Sequence, residues 1–240
     1  LQEKELQGHA SNWLQLEDSF RPMTISTSIG SGTMISGYQA EQAEPEHLKH
    51  TKVCDAFTIP NAFLPDECER IIEIGLANEV ISGLGMSDDG KFKKDSGRKC
   101  NLSWVARHDQ TDWIFQRLES LLLYAARVYG FALSPSNRFQ FTIYRGSWLK
   151  PQFYGWHFDN AAGGDRRKIA ISVNLSSPKA YVGGRLKIRC HKWSGWDRAK
   201  EQGSATMFPC YLKHMASPVW SGTRYSLVFW PTGPNNGGLV

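Results

Sequence analysis

A chain of 240 residues, 41% hydrophobic and 21% charged, is long enough for one large domain with a well-buried core. No apolar run approaches the roughly eighteen residues of a membrane helix, and no charged-then-apolar leader opens the sequence, so a soluble, cytoplasmic protein with no membrane partner is expected. The net charge of +5 is mild and not gathered in one run, which gives little support to a nucleic-acid partner and suits an enzyme that draws in an anionic cosubstrate.

In chain order, residues 1–50 read as a loosely ordered arm or lid. From Ser11 to His50 the chain is rich in Ser, Thr, Gly, Gln and Glu, and Thr24 to Gly37 sustains neither a helical nor a strand period. A single domain is expected over 51–240. It opens on a short strand, Phe57 to Ile59, followed by a helix that starts at Pro65-Asp66-Glu67 and buries Cys68, Ile71, Ile72 and Gly75. A second helix has Thr111 as its cap, Asp112 at its positive end, a stripe of Ile114, Leu118, Leu121, Leu122 and Ala125, and Gly130 as its stop.

After Gly130 the apolar period drops from near 3.6 to 2. Phe139, Phe141 and Ile143 alternate with Gln140, Thr142 and Tyr144; Ile169, Ile171, Val173 and Leu175 alternate with Ala170, Ser172 and Asn174. Leu186 and Ile188 mark another strand, and Tyr225, Leu227 and Phe229 alternate with Arg224, Ser226 and Val228. One-sided burial of this kind predicts antiparallel sheets whose other face lines a cavity. The fold class is therefore mainly β with supporting α-helices, in a double-sheet barrel of the jelly-roll or cupin kind. The five cysteines (Cys54, Cys68, Cys100, Cys190 and Cys210) are scattered without a Cys-x-x-Cys pair and read as reduced structural thiols.

Chemistry concentrates in Trp156-His157-Phe158-Asp159, where a histidine and an aspartate two residues apart share one face of a strand. His214 supplies a third donor, and two imidazoles with one carboxylate leave three positions of an octahedral iron(II) open. Arg224 and Ser226, also two apart, make an end-wall for a dicarboxylate, because a guanidinium pairs with a carboxylate through two parallel hydrogen bonds.

The order His157-x-Asp159, then His214, then Arg224-x-Ser226 resembles the iron(II)- and 2-oxoglutarate-dependent dioxygenases. More narrowly it is similar to the prolyl-4-hydroxylase-like branch. The features that carry this are Tyr144 and Tyr154 ahead of the first ligand, Gly183-Gly184-Arg185-Leu186 between the ligands, Phe208-Pro209 before His214, and Pro218 through Arg224. The resemblance implies a double-stranded β-helix, Fe(II) on His157, Asp159 and His214, and 2-oxoglutarate and O2 as cosubstrates, with ascorbate as an auxiliary reductant. It implies that the far carboxylate of 2-oxoglutarate meets Arg224, Ser226 and a tyrosine hydroxyl, with Tyr144 the first choice and Tyr154 the second. The reaction implied is hydroxylation of an unactivated C–H bond, coupled to loss of CO2 and formation of succinate.

The retained Asp159 favours hydroxylation over halogenation, whose catalysts replace that acid. Trp230 stands where nucleic-acid demethylases of the superfamily carry a second arginine, which again disfavours nucleic acid. On the substrate side Arg98, Asn101 and Trp104 are candidates, with Trp156 and Trp220; the substrate class implied is an amino-acid residue in a peptide or protein, a free amino acid, or a small metabolite. Two other readings stand beside this one. A non-catalytic β-barrel binding protein would leave the histidines without purpose, and a zinc hydrolase would use the same three ligands but leave Arg224 and Ser226 unexplained.

Overall fold

A computed structural model describes residues 56–78, 81–82, 84–86, 92–94, 97–159, 167–190 and 198–233. The expected arm, residues 1–50, lies outside them.

The first strand, β1 (Phe57–Ile59), leads into α1 (Pro65–Ala77), where Glu67 Oε2 accepts the Leu64 N–H at 2.7 Å and so satisfies an otherwise orphaned helix-start donor. Short strands β2 (Ile81–Ser82), β3 (Leu84–Met86), β4 (Phe92–Lys94) and β5 (Arg98–Lys99) precede β6 (Asn101–Ala106) and α2 (Asp112–Tyr129). Thr111 stands at the start of α2 but does not cap it with its side chain. Its backbone is already helical, and its hydroxyl turns back to Ala106 O and His108 O at 2.9 and 3.1 Å. Gly130 ends the helix as expected, in the left-handed conformation with its N–H on Ala126 O.

The remaining strands are β7 (Arg138–Arg145), β8 (Gln152–His157), β9 (Ile169–Asn174), β10 (Tyr181–Gly183), β11 (Leu186–Ile188), β12 (Ala205–Pro209) and the long β13 (His214–Phe229). A larger sheet runs β1-β12-β9-β13-β7-β6-β2. A smaller one sets the first half of β13 between β8, with β5 outside it, and the β10 and β11 pair. All these pairings are antiparallel. Two antiparallel sheets joined through one shared strand make the double-sheet barrel expected from the alternating pattern, in the double-stranded β-helix form that the resemblance implies.

Period-2 alternation sorts the larger sheet into two faces. Phe139, Phe141, Ile143, Ile169, Ile171, Val173, Leu227 and Phe229 pack in one cluster with Ile71, Ile114, Phe115 and Leu118 of the helices. The opposite face carries Gln140, Thr142, Ser172, Asn174, Thr206, Arg224 and Ser226, all buried. Helix α1 closes on β7 at Gly75, where a Cβ would meet the Phe141 ring at 2.3 Å, and Ser103 Oγ of β6 donates to Gly75 O at 2.9 Å. The helices thus take the apolar side and leave the polar side to the barrel interior.

Strand β13 is longer than the alternation near Arg224 indicates, because it runs through Pro218 and Gly222, residues that read as punctuation. Pro218 falls where the pairing with β8 shifts register between Ala216 and Val219, so its missing N–H costs the ladder nothing. Gly222, at φ 73°, marks the passage from the smaller sheet to the larger. A Cβ there would lie 1.9 Å from Ala180 O. Gly222→Ala is expected to destabilise the domain by at least the roughly 1–3 kcal/mol of a non-glycine residue held in this region. Urea unfolding monitored by tryptophan fluorescence measures it; an unchanged midpoint would contradict this account of the crossover.

Candidate active site

Strand β8 ends on His157 and β13 begins on His214, and the two are register partners across the smaller sheet. Asp159 lies in the bend just past β8, not on the strand itself, and its main-chain N–H is tied to Cys210 O at 3.1 Å. Local chain direction and cross-strand pairing therefore bring together donors that are distant in sequence. One donor atom from each of His157, Asp159 and His214 lies within 4.8 Å of the others. Asp159 Oδ1 is 3.5 Å from His157 Nε2, and Oδ2 is 3.3 Å from His214 Nε2.

Main-chain carbonyls orient both imidazoles. His157 Nδ1 is 2.8 Å from Gly155 O and His214 Nδ1 is 2.9 Å from Leu212 O, so each Nδ1 carries the proton and donates it, leaving an Nε2 lone pair directed at the shared centre. Tyr154 stacks on the His157 ring at 3.5 Å, and Phe208 meets His214 edge-on at 4.6 Å. Burial works against ionisation of Asp159, but the adjacent His214 and His157 prevail and hold its carboxyl well below the usual carboxylate range. Burial likewise opposes charge on His214, and Asp159 more than offsets it, raising the imidazole pKa. Two oriented imidazoles and one ionised carboxylate, converging at this spacing, fit a divalent iron site.

On the same inward face, Arg224 and Ser226 are 4% and 2% exposed. Arg224 is the register partner of Tyr144, and its guanidinium carbon lies 5.6 Å from that ring. No carboxylate among the described residues pairs with Arg224. Burial pushes the Tyr144 hydroxyl up, against the pull of Arg98 and Arg224, so it remains a neutral donor. The two tyrosines kept open by the sequence thus occupy different places: Tyr144 beside Arg224, Tyr154 against His157.

A third tyrosine was missed. Tyr181 is buried, places its hydroxyl 3.3 Å from Asn174 Oδ1, and borders Gly184 as Arg224 does: a Cβ at Gly184 would lie 3.0 Å from Arg224 Cδ and 3.1 Å from Tyr181 Cε2. The Gly183-Gly184 turn just after it was the available signal; β10 itself is too short for a period.

Of the substrate-side residues, Arg98 sits over the Tyr154 ring at 4.6 Å and bonds Cys100 Sγ through Nε at 3.0 Å, while its buried Nη2 has no hydrogen-bond partner among the described residues. Asn101 instead accepts from Arg145 and Gln152. Trp104 packs 6.0 Å from Trp230, with Arg138 over the Trp104 ring at 4.7 Å. Trp156 is 39% exposed beneath Arg189, and Trp220 stacks on exposed Trp148 at 5.9 Å. The structure therefore gathers Arg98 to the triad through Tyr154 and does not gather Trp156 and Trp220 with it.

Residues 139–232 match the family model described as the 2OG-Fe(II) oxygenase superfamily. Over this stretch the chain is similar to that superfamily. The stretch contains all three triad residues, Arg224 and Ser226. Among curated relatives, a PKHD-type hydroxylase of Synechococcus sp. (strain CC9605) is 35% identical over 82 residues, spanning 32% of this chain and only 35% of that protein. A PKHD-type hydroxylase of Shewanella sp. (strain MR-7) is 26% identical over 182 residues, 72% of this chain and 75% of that protein. The viral collagen prolyl hydroxylase of Paramecium bursaria Chlorella virus-1 superposes with TM-score 0.53 at 17% identity, covering 75% of this chain and 96% of the other. That likeness shows a shared double-stranded β-helix fold. No helix among the described residues is long and apolar enough to cross a membrane.

Proposed function

We propose that this chain is an Fe(II)- and 2-oxoglutarate-dependent dioxygenase that hydroxylates an unactivated C–H bond, acting in the cytoplasm on an amino-acid residue of a peptide or protein, or on a free amino acid or small metabolite. One observation carries the reading: the three-donor group and a buried arginine with no carboxylate partner among the described residues share one barrel interior. A zinc hydrolase has use for the first and none for the second.

His157, Asp159 and His214 would hold the metal. Iron held there would supply, with O2 and 2-oxoglutarate, the oxidising power for hydroxylation, in which one oxygen atom would enter the substrate C–H bond and the other succinate, with loss of CO2. Arg224 binds the far carboxylate through its planar fork, with Ser226 and the Tyr144 hydroxyl donating alongside and Tyr181 walling the pocket. The polar interior face is buried, which strengthens each of these contacts by excluding water. Tyr154 fixes the His157 ring from one side. Ascorbate serves as auxiliary reductant in this reading. A peptide-type substrate is supported by the name of the viral neighbour, a collagen prolyl hydroxylase.

Arg98 is assigned to the substrate side. A buried guanidinium arm without a partner is costly, and a substrate carbonyl or carboxylate would satisfy it. Arg98→Ala is expected to leave Fe(II) and 2-oxoglutarate affinities within a few-fold of wild type. It should raise the KM for substrate roughly 10- to 100-fold, the value of one charge-assisted hydrogen bond of about 1.5–3 kcal/mol. Equal loss of 2-oxoglutarate affinity would place Arg98 on the cosubstrate instead. For the activity as a whole, succinate formation is followed with Fe(II), O2 and 2-oxoglutarate across a peptide and amino-acid panel. Substrate-stimulated succinate release is expected, and hydrolysis of the panel by zinc-loaded protein without 2-oxoglutarate would overturn the proposal.

A further inference from the structure

On the reading of this triad as an Fe(II) site, we infer that Trp230 is a positioning residue: its indole N–H reserves one oxygen of Asp159, so that the carboxylate offers the ion the other oxygen alone. Trp230 Nε1 donates to Asp159 Oδ2 at 2.8 Å, a length normal for a strong N–H donor to an ionised acceptor. The tryptophan follows directly on the last residue of β13, the strand whose first residue is His214. One continuous strand thus contributes a triad histidine at its start and the support for the triad carboxylate just beyond its end.

The ring is held from several directions. Arg167 lies over it at 4.4 Å, Trp104 packs at 6.0 Å, and Arg138 lies over Trp104 at 4.7 Å. Arg167 is itself bridged to Thr232, two residues past Trp230. The main chain of Asp159 is tied separately, through its N–H to Cys210 O at 3.1 Å. Backbone and side chain of the carboxylate are therefore fixed by different parts of the chain.

A free carboxylate can chelate a cation through both oxygens. With two imidazoles already bound, chelation would leave two of six octahedral positions, whereas a single oxygen leaves three. Indole suits the task because it donates and cannot accept, so it neither ligates the metal nor adds charge beside it. An arginine at this position would bring a cation next to the ion, and a phenylalanine would free Oδ2 to swing in.

The test compares wild type, Trp230→Phe, and protein in which Trp230 is replaced by 3-benzothienylalanine, an isostere with sulfur in place of the N–H. Circular dichroism checks the fold. Fe(II) affinity is read by chelator competition, and the ligand field of the Fe(II)-loaded protein by near-infrared magnetic circular dichroism. Both replacements are expected to weaken Fe(II) binding roughly 10- to 100-fold, the usual effect of losing a partner behind a ligand, and to shift the ligand-field bands in the same direction. Replacement by 5-fluorotryptophan, which keeps the donor, should restore wild-type values. Wild-type affinity and bands in the benzothienyl protein would overturn the inference, even if Trp230→Phe is impaired, because ring shape and not the N–H would then matter. Failure of wild type itself to bind Fe(II) would instead overturn the site reading, and the positioning role with it.

Discussion

Alanine at His157, Asp159 or His214, one at a time, is expected to remove Fe(II) binding from the assay range and to abolish substrate-dependent succinate formation. Outer partners of a metal site typically cost about 10–100-fold in affinity when lost, and a direct donor should cost more. Asp159→Ala should be the most damaging of the three. It removes the only carboxylate of the group and leaves His214 buried without the charge that raises its pKa. The three variants should nonetheless fold, because the core cluster that joins the helices to the larger sheet contains none of them. Metal analysis of protein purified with Fe(II), together with thermal unfolding, separates loss of the site from loss of the fold. Full iron occupancy in all three would contradict the assignment.

Arg224→Ala should bind iron normally and lose 2-oxoglutarate. If the guanidinium pairs bidentately with the far carboxylate in this buried pocket, removing it leaves that charge without its partner, at about 2–5 kcal/mol. At 1.4 kcal/mol per factor of ten, the loss is roughly 30-fold or more. Arg224→Lys should fall between, since it keeps the charge but not the planar fork. Iron affinity should move little in either, because Arg224 lies in the half of β13 paired with β7, while His214 lies in the half paired with β8. Separate titrations of Fe(II) and 2-oxoglutarate provide the internal comparison.

The parts of this site that were legible in the sequence are those governed by short-range periodicity. Arg224 and Ser226 share the inward face because strand side chains alternate, and the same rule sorted Phe139, Phe141 and Ile143 onto the helix side. His157 and Asp159 converge as expected, but by a different route, since β8 stops at His157 and Asp159 is held in a bend by Cys210. What periodicity could not supply was pairing across the chain. The partnership of Arg98 with Tyr154, and the placement of Tyr181 and Arg224 around Gly184, arise from strands of two and three residues whose neighbours lie far away in sequence. Trp230 was visible only as a tryptophan where related demethylases have arginine. Its hydrogen bond spans 71 residues to Asp159 and leaves no local trace.

Anaerobic addition of 2-oxoglutarate to the Fe(II)-loaded protein tests the central claim most directly, because it needs no knowledge of the substrate. The expected result is a weak visible metal-to-ligand absorption that saturates at one equivalent of 2-oxoglutarate, disappears in Asp159→Ala, and requires much more cosubstrate in Arg224→Ala. Absence of that absorption in wild type loaded with Fe(II), with no saturable 2-oxoglutarate binding by calorimetry, would contradict the dioxygenase reading.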